Sequence, residues 1–238
     1  MYYWNKPMET IGREDLERIQ LERLQRTVLR MYTNVPFYRE RMQQQGVKPE
    51  DVQSLADLRL LPFMDKRDLR DNYPFGTFAA PRQEIVRIHA SSGTTGKPIV
   101  AGYTANDLQM WAECVARGLG CAGVTKKDTV QVAYGYGLFT GGLGLHYGVE
   151  RIGATVVPIS AGNTKRQLML MQDLGTTAIA CTPSYALMMG ETIRDQKIDM
   201  TNFKLRVGIF GAEPWTDGMR SEIERLLNIR ALDIYRLT

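Results

Sequence analysis

The stretch Ser91-Ser92-Gly93-Thr94-Thr95-Gly96-Lys97-Pro98, followed by Ile99-Val100-Ala101-Gly102-Tyr103-Thr104, decides how the chain is read. Gly93 and Gly96 can take positive φ and let the backbone approach an anion. Ser91, Ser92, Thr94 and Thr95 supply hydroxyl donors, and Lys97 adds a compact positive charge. It is not a Walker A loop, which needs four residues between its glycines and a Ser or Thr after the lysine. Here only Thr94 and Thr95 intervene, and Pro98 follows. The β-branched and aromatic run after it predicts a strand rather than the helix that a Walker loop opens. A bound phosphate would be held without a helix dipole. By composition alone the same cluster is also ordinary turn material.

Working outward, Ile85–Ala90 is a strand candidate leading into this loop, and Thr104 with Asp107 forms a capping box for a helix. The stripe Leu108, Trp111, Val115 and Leu119 on that helix reads as core. Strands are then predicted over 129–133, 154–159, 177–181, 206–210 and 231–235, separated by helices near 164–175, 184–196 and 216–228. Such alternation predicts an α/β fold, a largely parallel sheet flanked by helices. Upstream, Leu21, Leu24, Val28 and Met31 recur at helical spacing among charged residues, Pro36 closes that region, and Ser54 and the pair Asp65/Asp68 can start short helices. The expected organisation is a mainly helical N-terminal lobe over residues 1–84 and an α/β part over 85–238.

In parallel sheets ligands sit beyond the carboxyl ends of the strands. Tyr134, Thr182, Gly211 and Tyr235 all fall there. The runs that contain them are Tyr134-Gly135-Tyr136-Gly137-Leu138-Phe139-Thr140-Gly141-Gly142, Thr182-Pro183-Ser184-Tyr185, Gly208-Ile209-Phe210-Gly211-Ala212-Glu213-Pro214-Trp215 and Asp233-Ile234-Tyr235. Together with the Ser/Thr/Gly loop, in this order and spacing, they resemble the phenylacetate-CoA ligases of the adenylate-forming acyl-CoA synthetase superfamily. The resemblance runs over the whole chain.

It implies ATP-dependent activation of an aryl acid, phenylacetate first, to an acyl-adenylate and then a coenzyme A thioester. The implied small molecules are the aryl acid, ATP and coenzyme A, with Mg²⁺ as cofactor. Ser91, Ser92, Gly93, Thr94, Thr95, Gly96 and Lys97 would hold the leaving pyrophosphate, Lys97, Thr94 and Thr95 acting in the chemistry. Gly211, Ala212, Glu213 and Pro214 would line the junction of adenine and acyl group, Tyr235 would stack on adenine, and Asp233, Ile234 and Thr238 would complete the nucleotide site. Asp233 reads equally as a strand-end turn residue, and Glu213 as a group orienting backbone or the adenine amine. Tyr134, Tyr136, Phe139, Gly141 and Ala212 would border the acyl group. Alternatives of the same chemistry are a benzoate-type or cofactor-adenylating ligase, and an alternative of another class is an inactive nucleotide-binding fragment.

The sequence departs from the family pattern at its end. Arg236 stands where the pattern has glycine, and no acidic residue follows Thr238 to help hold Mg²⁺. The chain therefore reads as the truncated N-terminal portion of a ligase, expected to be inactive alone, with a homodimer that hides exposed apolar surface one expected outcome.

Composition narrows the rest. The 238 residues carry 44% hydrophobic side chains and a net charge of +4, which suits a folded domain and gives nucleic acid no concentrated basic footprint. Cys114, Cys121 and Cys181 are read as reduced core thiols, and Cys and His encode no metal cage. His89 and His146 each lack a neighbouring catalytic motif and read as structural. No membrane-length apolar run and no signal-peptide layout occur, so the expected setting is the cytoplasm.

Overall fold

The computed structural model describes residues 3–91 and 97–235. Ser92, Gly93, Thr94, Thr95, Gly96 and Thr238 of the expected nucleotide site, and Arg236 beside it, lie outside the described residues.

Backbone contacts divide the chain into two units, residues 5–108 and residues 1–4 with 109–238. The first begins with the helices α1 (Lys6–Glu9), α2 (Arg13–Asn34) and α3 (Pro36–Gln44). Pro36 starts α3 rather than only closing α2, because its fixed φ suits a first helical turn. Val28, Met42 and Val52 form the centre of a small core with Leu24, Tyr32 and Tyr38 around it. α4 (Lys66–Asp71) opens on the expected capping box, with Asp65 accepting from the N–H groups of Arg67 and Asp68 while Asp68 accepts from that of Asp65.

The strands β1 (Ile85–Ala90) and β2 (Val100–Thr104) pair antiparallel, Ala90 opposite Val100, and the glycine loop is the connection of this hairpin. α5 (Ala105–Cys121) follows with its Thr104/Asp107 box in place. The boundary between the units falls inside α5, after Leu108, whereas the sequence reading placed it after residue 84. The difference has a simple origin: a hairpin satisfies its inner backbone groups locally, so β1 and β2 form a separate two-stranded sheet.

The second unit holds a five-stranded parallel sheet built from β3 (Thr129–Val132), β4 (Thr155–Val157), β5 (Ala178–Cys181), β6 (Val207–Phe210) and β7 (Arg230–Asp233), in the order β4-β3-β5-β6-β7. Each lies within two residues of its predicted bounds. The helices α6 (Gly141–Ile152), α7 (Thr164–Asp173), α8 (Pro183–Asp195) and α9 (Asp217–Leu227) are the crossovers. Alternation along the strands makes two cores: Ala178, Ala180, Val207 and Ile209 face Leu119, Leu145 and Val149. Ile179, Cys181, Phe210 and Ala231 face Leu168, Met189 and Ile223. β5 and β6 are buried throughout, as expected for central parallel strands covered on both faces.

α6 is absent from the sequence reading, because Gly141, Gly142, Gly144 and Gly148 look like loop. They are there for close packing: a Cβ at Gly144 would come within 2.6 Å of the Trp111 ring, and one at Gly148 within 2.3 Å of Val115. The reading of the cysteines also needs correcting. Cys114 and Cys121 are exposed, and only Cys181 is a core thiol.

Candidate active site

The chain runs from β3 to β4 on one side and then crosses to β5 on the other, so the connections diverge between β3 and β5. Where that happens, the carboxyl ends leave a crevice. Tyr134 and Gly135 follow β3 there, and Thr182 follows β5.

Tyr134 is buried, and its hydroxyl donates to the Cys181 carbonyl at 2.6 Å, which pins the ring. It walls a cavity of about 270 Å³ together with Phe139, Gly141 and Ala212. Its remaining walls are Trp111 and Val115 of α5, Gly144 and Leu145 of α6, and Ile234. The volume lies at the small end of ligand pockets, and the lining is aromatic and aliphatic. Sequence reasoning missed Trp111 and Val115, because an apolar helical stripe carries no signal separating a cavity wall from core. Phe139 is half exposed.

Tyr136 does not line this cavity. Its hydroxyl lies 3.4 Å from Nδ1 of His146, whose Nε2 is 3.2 Å from Glu150 one helical turn on. Burial, and then the Glu150 charge, push the Tyr136 phenol up to about 12. His146 thus has Tyr136 and Glu150 as partners.

A cleft of about 540 Å³ lies between Gly211–Trp215, after β6, and Asp233–Tyr235, at the end of β7. Gly211 is required by the protein itself: a Cβ there would stand 2.3 Å from the Ile234 carbonyl oxygen. Ala212 takes φ of 73°, a left-handed value rare for a residue with a side chain. Tyr235 is 83% exposed, its ring open to a ligand. A third hollow, about 480 Å³, is bordered by Ala161, Thr182, Ser184, Tyr185 and Met188, and shares Tyr134, Phe139 and Ala212 with the aromatic cavity. Ala212 thus borders all three spaces.

No family model matches the chain. Over 232 residues it is 55% identical to the phenylacetate-coenzyme A ligase of Pseudomonas putida, covering 98% of this chain and 53% of that protein. The chain is a homologue of phenylacetate-CoA ligases. The phenylacetate-coenzyme A ligase of Thermus thermophilus is 50% identical over 97% of this chain and 52% of its own length. The chain spans about half the length of the curated relatives it matches. A crystal structure of 2-hydroxyisobutyryl-CoA ligase in complex with 2-HIB-AMP and CoA superimposes with a TM-score of 0.90 at 31% identity, over 97% of this chain and 51% of that one. A long-chain-fatty-acid-CoA ligase from Archaeoglobus fulgidus, 19% identical over 65% of this chain and 31% of that one, shares the fold at a TM-score of 0.54.

In this ligase homologue the described ends of the glycine loop are joined by one backbone and one side-chain hydrogen bond. Ser91 N–H donates to the Ile99 carbonyl at 2.9 Å, and Ile99 N–H donates to the Ser91 hydroxyl at 2.9 Å. Lys97 is exposed, its ammonium 5.4 Å from the centre of the Tyr73 ring. Among the described residues no three His, Cys, Asp or Glu side chains come together to hold a metal. The Cys181 thiol is pushed up by burial and then by Glu213, which keeps it out of nucleophilic chemistry. No helix among the described residues is long and apolar enough to cross a membrane.

Proposed function

We propose that this chain carries the acyl pocket, the nucleotide cleft and the phosphate loop of an ATP-dependent ligase that activates a flat aryl acid, with phenylacetate the first candidate, for transfer to coenzyme A. The observation that carries the reading is Ala212, which borders both the aromatic cavity and the cleft beside Tyr235. An acyl group in the first and a nucleotide in the second would meet at this residue, where an acyl-adenylate needs its two halves joined. The relatives' identity supports the same chemistry.

A carboxylate is a poor acyl donor because its leaving group would be oxide. In the proposed first step a carboxylate oxygen attacks the α-phosphorus of ATP, a new O–P bond forms, and the bond to the bridging oxygen breaks as pyrophosphate leaves. In the second the thiol of coenzyme A loses its proton and attacks the acyl carbon, and AMP departs. Such transfers depend on positioning and charge neutralisation more than on covalent help. Tyr134, held by Cys181, and Trp111, set against Gly144, would fix the aryl ring. Tyr235 would stack on the base, and Lys97 would neutralise charge on the leaving pyrophosphate.

The test is pyrophosphate exchange with phenylacetate, run on this chain and on the chain joined to the remaining half of a relative. Exchange that depends on phenylacetate supports the reading. Its absence from the joined protein with every aryl acid offered would remove it in favour of a nucleotide-binding role without catalysis.

A further inference from the structure

Asp233 ends β7 with both carboxylate oxygens already taken. Oδ1 accepts from the indole N–H of Trp215, and Oδ2 accepts from Nη2 of Arg220 at 2.5 Å. The other arm of Arg220 donates to the Ala231 carbonyl at 2.6 Å, and its guanidinium lies over the Trp215 ring, 4.3 Å from the centre. Trp215, Asp233 and Arg220 thus close a three-membered clasp. Strand alternation explains it: Ala231 joins the core that Trp215 packs against, whereas Leu232 and Ile234 pack toward the opposite core. Asp233 shares the side of Ala231, toward α9 and away from the acyl cavity.

The clasp joins the two walls of the 540 Å³ cleft, one ending at Trp215 and the other at Asp233. Burial works to raise the Asp233 carboxyl, but the hydrogen bonds from Trp215 and Arg220 prevail and hold it below the usual carboxylate range. It therefore stays charged and occupied. One exposed ion pair contributes little. Here, however, truncating Asp233 would release an indole and a guanidinium together, and with them the spacing of the walls.

We propose that Asp233 is a positioning residue: it sets the width of the cleft for a purine ring by holding Trp215 directly and through Arg220, and it does not itself contact the nucleotide. This rests on reading the cleft as the nucleotide site.

The test is AMP binding to this chain, measured by calorimetry in every variant, with the indole N–H resonance of Trp215, which Trp215→Phe identifies by its loss, followed alongside wherever that residue is kept. AMP affinity should fall roughly tenfold in Asp233→Ala and in Trp215→Phe, and the double variant should be no weaker than either single one, as expected for residues acting as one unit. Asp233→Asn, which keeps an acceptor for the indole, should recover most of the loss, and Asp233→Ala should shift the Trp215 resonance without nucleotide. A loss in the double variant equal to the product of the single losses would overturn the proposal, since Asp233 would then touch the nucleotide independently. Unchanged affinity in both single variants, or no AMP binding by the unsubstituted chain, would overturn it too. If AMP binds and the cycle is non-additive while pyrophosphate exchange is absent from the joined protein, the adenylation reading falls and the clasp stands.

Discussion

The Glu213 carboxylate accepts a hydrogen bond from the backbone N–H of Ser184 at 2.7 Å, joining the loop after β6 to the first turn of α8. The first N–H groups of a helix have no intrahelical partner, and the positive end of its dipole favours an anion. Thr182 serves the Tyr185 N–H at 3.3 Å, so side chains occupy this helix terminus from two directions. Glu213 thereby orients backbone, one of the roles open to it from sequence. Glu213→Ala should lower stability by about 1 kcal/mol, the usual loss for a helix cap, and Glu213→Gln, which keeps an acceptor, by less. Urea unfolding of the three proteins would show this, and equal midpoints would mean that the contact contributes nothing.

Lys97 is exposed, so its removal should leave the fold intact. Losing one positioned charge near the leaving pyrophosphate commonly costs about 3 kcal/mol, or roughly a hundredfold in rate. In the joined protein Lys97→Ala should slow pyrophosphate exchange by that factor with an unchanged melting temperature. Full activity would remove Lys97 from the phosphate site.

Much of this arrangement is legible in the sequence, and the parts that are not share a cause. β3, β5 and β6 are short apolar runs bounded by turn residues, and the motif residues at their ends fall where a parallel sheet places ligands. α6 is hidden because its glycines answer to Trp111 and Val115, some 30 residues earlier, and a contact at that separation leaves no local pattern. For the same reason Trp111 reads as core and turns out to line the aromatic cavity, while Tyr136, in a run expected to face substrate, turns to His146 instead. Asp233 reads as a ligand or a turn residue, and only Arg220, on a different element, reveals its clasp.

The packing of α5 on α6 gives a stability prediction with a functional readout. A methyl at position 144 would stand 2.6 Å from the Trp111 ring, and overfilling a packed contact destabilises by about 1–3 kcal/mol. Gly144→Ala should therefore lower the melting temperature and, by driving Trp111 into the cavity, raise the KM for phenylacetate more than that for ATP. A KM for phenylacetate that does not move would show that Trp111 is no wall of the acyl site.

Asp128 supplies a pH dependence away from the site. Burial raises its carboxyl, but hydrogen bonds from Arg206 at 2.7 Å, from the Thr177 hydroxyl at 2.7 Å and from the Thr125 N–H at 2.8 Å outweigh it, and the pKa is lowered. A folded pKa below the unfolded one means that the stabilisation is full above the ordinary carboxylate range and is lost as pH falls through the folded value. Asp128→Asn should lower stability at neutral pH by about 2 kcal/mol, the scale of hydrogen bonds to a charged group. The gap to the parent should narrow as pH drops below about 4. Denaturant curves at neutral and acid pH would reveal it, and a gap independent of pH would exclude a charge contribution.

The aromatic cavity makes the sharpest statement about substrate. Its 270 Å³ are bounded by the rings of Trp111, Tyr134 and Phe139, with Gly141 and Gly144 leaving room between them. Aromatic rings favour stacked or edge-on contact with another ring, an advantage of about 0.5–1.5 kcal/mol per pair beyond area burial. An alkyl chain gains no such advantage. The joined protein should therefore activate phenylacetate at least tenfold faster than octanoate at equal concentration, the factor that about 1.4 kcal/mol corresponds to. Trp111→Ala should narrow that ratio by removing one of these rings and enlarging the cavity. Equal rates with octanoate in the unsubstituted protein would sink the aryl reading, whatever the fate of the nucleotide cleft.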